Sequence, residues 1–230
     1  MNGAPASLTL AGIGRGFKLT VGLAVTSFPF GVSFGAAALV HDLPAYLAVL
    51  MSSLIFAGGA QFAALEFLSP MMLWPLLLTT FAVNARHIVM GATLAPWMRS
   101  LPPLARWSAV AFISDVNWTI ASDAHGRGEN DVGVLVGGGL ALWLGWVSGT
   151  AIGAIAGADL GDLNRLGLDL ILIAFFAATL AGQWRSRRDF APWFSAGLTT
   201  LIAVYVLPPG WPVIAGALAG GCVGALTDES

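Results

Sequence analysis

Long apolar runs separated by short polar clusters occupy almost the whole of this chain. Between Leu43 and Met98 only Glu66 and Arg86 carry a formal charge, among Leu, Ala, Val, Phe and Met. A transmembrane helix needs about 20 mainly apolar residues to cross a hydrocarbon core of roughly 30 Å. That stretch therefore predicts at least two crossings. Reading each apolar run between polar breaks as a helix gives span 1 from about Phe17 to Val40, closed by His41-Asp42-Leu43-Pro44. Span 2 follows from about Ala45 to Leu68, span 3 from about Met71 to Gly91 and span 4 from about Trp107 to Ser122. Asp123 to Asp131, the most polar segment, reads as a solvent loop. Span 5 covers about Val132 to Ala156, and an acidic loop from Gly157 to Arg165 leads to span 6, about Leu166 to Trp184. Span 7 covers about Phe190 to Leu207, and a short last span follows Pro208-Pro209-Gly210-Trp211-Pro212 as far as Leu226.

The expected fold is all-α: a polytopic integral membrane protein with seven or eight transmembrane helices, some of them discontinuous, forming one domain over residues 1–230. Composition supports the class. The chain is 57% hydrophobic and 10% charged, with a mean hydropathy of +0.81, whereas soluble domains carry about 25% charged residues. The formal charge of −2 leaves no basic face for phosphates, so no nucleic-acid partner is expected. Cys222 is the single cysteine, which excludes an intrachain disulfide, and its apolar setting reads as inert packing. His41, His87 and His125 are scattered without metal-ligand spacing, and no glycine-rich phosphate loop occurs. Neither a metal, a cofactor nor direct ATP use is expected.

Arg15 and Lys18 precede an apolar run ending in Ala36-Ala37-Ala38, a pattern also seen at signal-peptide cleavage sites. The run is longer than the 7–15 residues typical of a cleaved segment, which favours a retained first span. Arg15 with Lys18, and the arginines at 185–188, are the strongest basic clusters, and the positive-inside rule puts both in the cytoplasm. Arg99 and Arg106 then fall outside, a conflict that a re-entrant or interfacial segment would remove. Gly31-Val-Ser-Phe-Gly35 has a loose counterpart in Val147-Ser-Gly-Thr-Ala-Ile-Gly153, and the segment Leu54 to Phe62 in Ala174 to Trp184. Both pairs lie about half the chain apart, which suggests candidate repeat halves 15–125 and 126–226 of undetermined handedness.

Four constellations carry candidate chemistry. Phe28-Pro29-Phe30-Gly31-Val32-Ser33-Phe34-Gly35 lies inside span 1. Proline removes an amide donor and the glycines loosen the next turn, so a discontinuous helix with exposed backbone dipoles is expected; a packing kink is the plainer alternative. The same residues spell the Gly-x-Ser-x-Gly hydrolase elbow, but no strand surrounds them. In span 2, Ser53, Ala57, Ala60 and Ala64 would form one small-residue face beside Gly58, Gly59 and Gln61. Asn84-Ala85-Arg86-His87 closes span 3, with Asn84 and His87 sharing a helix face and Arg86 turned away. Asp115, between Ser114 and Asn117 in span 4, is a carboxylate expected at membrane depth, either relaying protons or pairing with Arg86 or Arg106. Glu66 and Asp169, nearer span ends, read as interfacial.

These elements together resemble the AzlC family, the large subunits of two-component bacterial branched-chain amino-acid exporters. The resemblance rests on Pro29-Phe-Gly31 with Gly35, Met51-Ser-Ser-Leu-Ile-Phe-Ala-Gly-Gly-Ala-Gln61, Asn84-Ala-Arg-His87, Trp146 to Gly153 and Gly167-Leu-Asp-Leu170. It covers roughly residues 15–226. One departure stands out: the family commonly has Thr-Asp-Glu where this chain has Ser114-Asp115-Val116, so a second carboxylate is missing. The resemblance implies an inner-membrane exporter of valine, leucine or isoleucine, multi-pass and acting with a small hydrophobic partner of the AzlD type. It does not suggest an enzyme. On that basis Phe30, Gly31, Ser33, Phe34, Gly35, Phe56, Gly58, Gly59, Gln61 and Asn84 are the expected substrate contacts. Broken-helix amides would take the carboxylate, Asp115 or Asn84 the ammonium, and Phe30, Phe34 and Phe56 the branched side chain. Asp115 and His87 are the expected proton-coupling groups. A small-ion channel lined by the same residues is the alternative.

Overall fold

The structure, a computed structural model, describes residues 5–65, 67–68, 72–157, 186–208 and 211–228, together with Ala177, Ala181 and Trp184. Among them every regular element is helical. The helices are α1 (Leu10–Val40), α2 (Ala45–Ile55), α3 (Gly58–Leu65), α4 (Leu73–Asn84), α5 (Arg86–Leu94), α6 (Pro103–Ala111), α7 (Asp115–Gly126), α8 (Gly133–Ala156), α9 (Phe190–Val206) and α10 (Trp211–Asp228). Three are long and apolar enough to cross a membrane: Leu10–Val40, Gly133–Ala156 and the segment Arg187–Val206. Large apolar side chains such as Leu10, Val25, Ile155 and Tyr205 stand exposed along them, the arrangement of a protein whose surrounding solvent is lipid.

The chain divides into two compact units, one formed by residues 1–58 and 85–169, the other by 59–84 and 170–230. The first unit is built on α1 and α8. Small residues recur every fourth position on both helices: Gly12, Gly16, Thr20 and Ala24 on α1, and Gly133, Gly137, Ala141, Gly145, Gly149 and Gly153 on α8. Without side chains in the way the backbones meet, so a Cβ at Gly137 would strike the Ile13 carbonyl and one at Gly153 the Val32 carbonyl. Matched positions advance together, Ile13 with Gly137, Ala24 with Gly145, Phe28 with Gly149 and Val32 with Gly153. The two helices therefore run parallel, in the close contact that small-xxx-small seams permit in lipid. Gly31 and Gly35 abut Gly149 and Thr150, so the two segments that echo each other in sequence pack directly together.

This seam overturns the expected break at Pro29. α1 is one continuous helix of 31 residues with Pro29 inside it. The proline lies exposed, off the packed face, and removes only its own amide bond. The Ser33 hydroxyl donates to the Pro29 carbonyl at 3.0 Å, and contacts on both sides of Pro29 hold the helix to α8.

Other spans break where continuity was expected. Span 2 divides at Phe56, whose backbone is left-handed (φ 43°, ψ 44°), so Ser53, Ala57, Ala60 and Ala64 do not share one helical face. Span 3 is interrupted at Ala85 and span 4 between Ala111 and Asp115. α7 also continues through Asp123 to Gly126, so the expected solvent loop begins later than its polarity suggested. α1 begins at Leu10, seven residues before the expected span, while α8 and α9 fall within a residue of expectation. In the second unit α9 and α10 pack together, with Gly216 against Thr200 and Gly220 against Ala196 and Pro192. Cys222 on α10 is exposed, which corrects its reading as packed. Span 6, most of the acidic loop, Glu66, Asp169, the Gly167-Leu170 element and the counterpart of the Leu54–Phe62 echo lie outside the described residues, apart from Ala177, Ala181 and Trp184.

Candidate functional site

The left-handed turn at Phe56 frees backbone groups at the C-terminal end of α2, because the last carbonyls of a helix have no partner within it. Two indoles of α8 serve this end. Trp143 Nε1 donates to the Ser53 carbonyl at 3.0 Å, and Trp146 Nε1 donates to the Ser52 hydroxyl at 3.1 Å. Ser52 Oγ in turn lies 2.8 Å from Thr150 Oγ1, which bonds the Trp146 carbonyl at 3.0 Å. Both hydroxyl groups belong to fully buried residues, so this closed chain satisfies groups that would otherwise be costly in an apolar interior. Trp146 also stacks on Phe34, with ring centroids 6.0 Å apart. Its ring lies against Gly58, where an added Cβ would come within 2.7 Å of the indole edge. One aromatic ring thus touches α2, the start of α3 and α1.

Around this interruption the structure gathers Gly31, Phe34, Gly35, Phe56 and Gly58 of the expected site within the first unit. Their roles differ from expectation. Gly31 and Gly35 are close-contact positions of the seam rather than free amides, and Phe34 is wholly buried beneath Trp146. The Ser33 hydroxyl is committed to the Pro29 carbonyl. Phe30 is half-buried. Gly59, Gln61 and Asn84 belong to the second unit, with Gln61 fully buried. Sequence reasoning missed Ser52, Trp143 and Thr150. Trp-x-x-Trp on α8 was the available signal, since a buried indole N–H needs an acceptor.

The charged residues of spans 3 and 4 meet in the same unit. Arg86 opens α5 and Asp115 opens α7, and their side chains pair at 2.9 Å while remaining 40% and 45% exposed. The pairing with Arg86 is therefore the arrangement present, and Asp115 is not a lone buried carboxylate. Asn84 ends α4 and His87 lies in α5, on opposite sides of the Ala85 interruption, although Ala85 keeps a right-handed helical backbone (φ −55°, ψ −29°). Asn117, fully buried, holds the interruption in span 4. Its amide nitrogen donates to the Phe112 carbonyl and, at 3.0 Å, to the Leu135 carbonyl on α8. Its oxygen accepts from the Ser114 amide at 2.7 Å.

A separate polar node ties the N-terminal ends of α1 and α8. Asp131 accepts from the Thr9 amide at 3.1 Å, from the Thr9 hydroxyl and from the Gly133 amide at 2.9 Å. Arg15 reaches Glu129 at 3.0 Å and Asp131 at 3.5 Å. Burial alone would raise the Asp131 pKa, but the bonds from Thr9 and Gly133 and the charge of Arg15 outweigh it and hold the group below its ordinary value. Beside the node an open groove of about 480 Å³ is bordered by Leu19, Ile120 and the Asp123–Glu129 segment. Asp123 and Arg127, four residues apart on its border, pair at 2.7 Å. Among the described residues no group of three or more His, Cys, Asp or Glu gathers to hold a metal.

Residues 22–160 match the family model described as AzlC protein. A branched-chain amino acid transport protein, AzlC of Bacillus subtilis (strain 168), is 28% identical over 191 residues, covering 80% of this chain and 72% of the relative. An uncharacterized membrane protein of Archaeoglobus fulgidus is 30% identical over 209 residues, 90% and 91% of the two chains. The inner membrane protein YgaZ of Escherichia coli (strain K12) is 25% identical over 230 residues, 97% and 92%. No solved structure matches the chain.

Proposed function

Because the chain belongs to the AzlC family and is a membrane transport protein, we propose that it exports branched-chain amino acids across the bacterial inner membrane. It does so by alternating access, coupled to protons through Asp115 and His87, as the large subunit of a pair completed by a small hydrophobic AzlD-type protein. No enzymatic step is part of this reading. The observation that carries it is the interruption of span 2 at Phe56. A helix broken within an apolar segment leaves backbone groups that only protein, water or a polar ligand can satisfy, and broken helices in transporters mark substrate sites. The name of the Bacillus subtilis relative supports the substrate class.

In this reading the segments 45–65, 73–94 and 103–126 each cross once despite their interruptions. The parallel run of α1 and α8 supports that count, since two parallel helices require an odd number of crossings between them. Eight crossings result when span 6 is added. The first spans of the two candidate halves then point the same way, the relation of a parallel rather than an inverted repeat.

Counterflow tests the function. The chain, co-purified with its small subunit, is reconstituted in liposomes loaded with unlabelled valine, and uptake of labelled valine is followed. Trans-stimulated uptake is expected. Uptake without trans-stimulation identifies a passive pore, and no uptake of valine, leucine or isoleucine removes the substrate assignment.

A further inference from the structure

Arg86 and Asp115 are the charged residues that fall within the expected spans 3 and 4. Each opens a helix just after an interruption, Arg86 in α5 (Arg86–Leu94) and Asp115 in α7 (Asp115–Gly126), with α4 and α6 ending at Asn84 and Ala111. Ile88 and Val89, just after Arg86, and Val116, just after Asp115, are 64%, 66% and 42% exposed, as lipid-facing residues are. The guanidinium and the carboxylate pair at 2.9 Å, with nearly half of each side chain uncovered. A guanidinium has five donors and a carboxylate about four lone-pair sites; among the described residues this contact leaves most of both unused. In the reading above both segments cross the membrane, where charges are retained when they face a cavity or a polar ligand.

We propose that Arg86 and Asp115 form a two-point receptor for the charged head of the substrate, Arg86 taking the α-carboxylate and Asp115 the α-ammonium. The inference rests on the amino-acid transport reading above and goes beyond it by assigning Arg86 a role in recognition. An α-amino acid carries its opposite charges on neighbouring atoms of one carbon. It can therefore open the ion pair by inserting between the partners, replacing one charge pair by two without leaving either protein charge alone. A planar guanidinium suits a carboxylate because it can present two parallel N–H donors. Asp115 then holds the ammonium through charge-assisted bonds. An ion pair that serves only to staple α5 to α7 would not distinguish the two ends of a ligand.

That difference supplies the test. The full chain with its small subunit is assayed for valine counterflow in competition with isobutylamine, which lacks the carboxylate, and isovalerate, which lacks the ammonium. Wild-type protein should favour valine over either analogue by about tenfold or more, as charged hydrogen bonds commonly confer. Arg86→Gln should weaken valine and isovalerate by about tenfold while leaving isobutylamine unchanged, and Asp115→Asn should weaken valine and isobutylamine while leaving isovalerate unchanged. Equal loss for all three ligands, or no loss, overturns the receptor. The exchange Arg86→Asp with Asp115→Arg keeps an ion pair even if the single variants fail to fold. It should restore the wild-type Tm but not valine affinity, and full recovery of affinity would show the pair to be a staple. Absence of valine counterflow in the wild type removes the transport reading itself, whereas intact counterflow with unselective variants removes only the receptor.

Discussion

At the scale of single residues, the structure assigns work to side chains that composition makes inconspicuous. Ser52 accepts the Trp146 indole N–H in a wholly buried place. Ser52→Ala removes the acceptor of that N–H from a buried site, at a cost of about 1–3 kcal/mol. The Tm in detergent should fall by roughly 2–12 °C for a chain of this length, as measured by differential scanning fluorimetry. Asp131 provides a pH dependence with a defined sign. Its folded pKa is lowered, so its contribution is present above the ordinary aspartate value of about 3.9 and is lost as pH falls through the lower folded value. Melting curves collected from pH 6 to pH 3 should show the wild type losing more Tm below about pH 4 than Asp131→Asn does. Aspartate and serine are visible in the sequence at both places, but their partners are not. Thr9 and Asp131 stand 122 positions apart.

At the scale of elements, the α1–α8 seam explains why a proline and several glycines coexist with a 31-residue helix. The glycine clusters around Pro29 were legible as special, and their purpose was misread. A glycine that loosens an isolated helix lets a packed one approach its neighbour. Position separates the two roles. A Cβ added at Gly149 would meet the Phe28 carbonyl and Gly31, whereas one added at Gly14 or Gly22 on α1 would have nothing within 4 Å. Gly149→Leu should drive the helices apart and abolish a monodisperse size-exclusion peak, or lower Tm by an amount corresponding to about 3 kcal/mol or more. Gly22→Leu, adding the same bulk, should leave both measurements near wild type. The interruptions at Phe56 and before Asp115 were less legible, because neither contains a proline or a left-handed glycine to announce it. Their stability comes from Trp143 and Asn117, residues supplied by or bonded to α8.

At the scale of the whole molecule, class and family agree with the hydrophobic pattern, and the seam bears on processing. A cleavage after Ala38 would remove the helix whose Thr9 and Arg15 hold Asp131 and whose whole length packs on α8. The mature protein should therefore retain α1, and peptide mass spectrometry of the membrane-extracted chain should recover peptides from Leu10–Val40 rather than an N-terminus beginning after Ala38.

The amino-acid sequence by itself determined that this is a helical membrane protein and placed α8 and α9 to within a residue, because lipid solvation adds up locally over about 20 consecutive residues. It also marked Arg86 and Asp115 as costly and worth keeping. Tertiary structure alone decided that Pro29 would be bridged, that Phe56 would turn the chain, and that these two charges would meet. Those outcomes depend on partners far along the chain, as with Ser52 and Thr150, 98 residues apart. A local pattern states what a segment prefers; only the neighbour it packs against fixes whether its backbone continues or breaks.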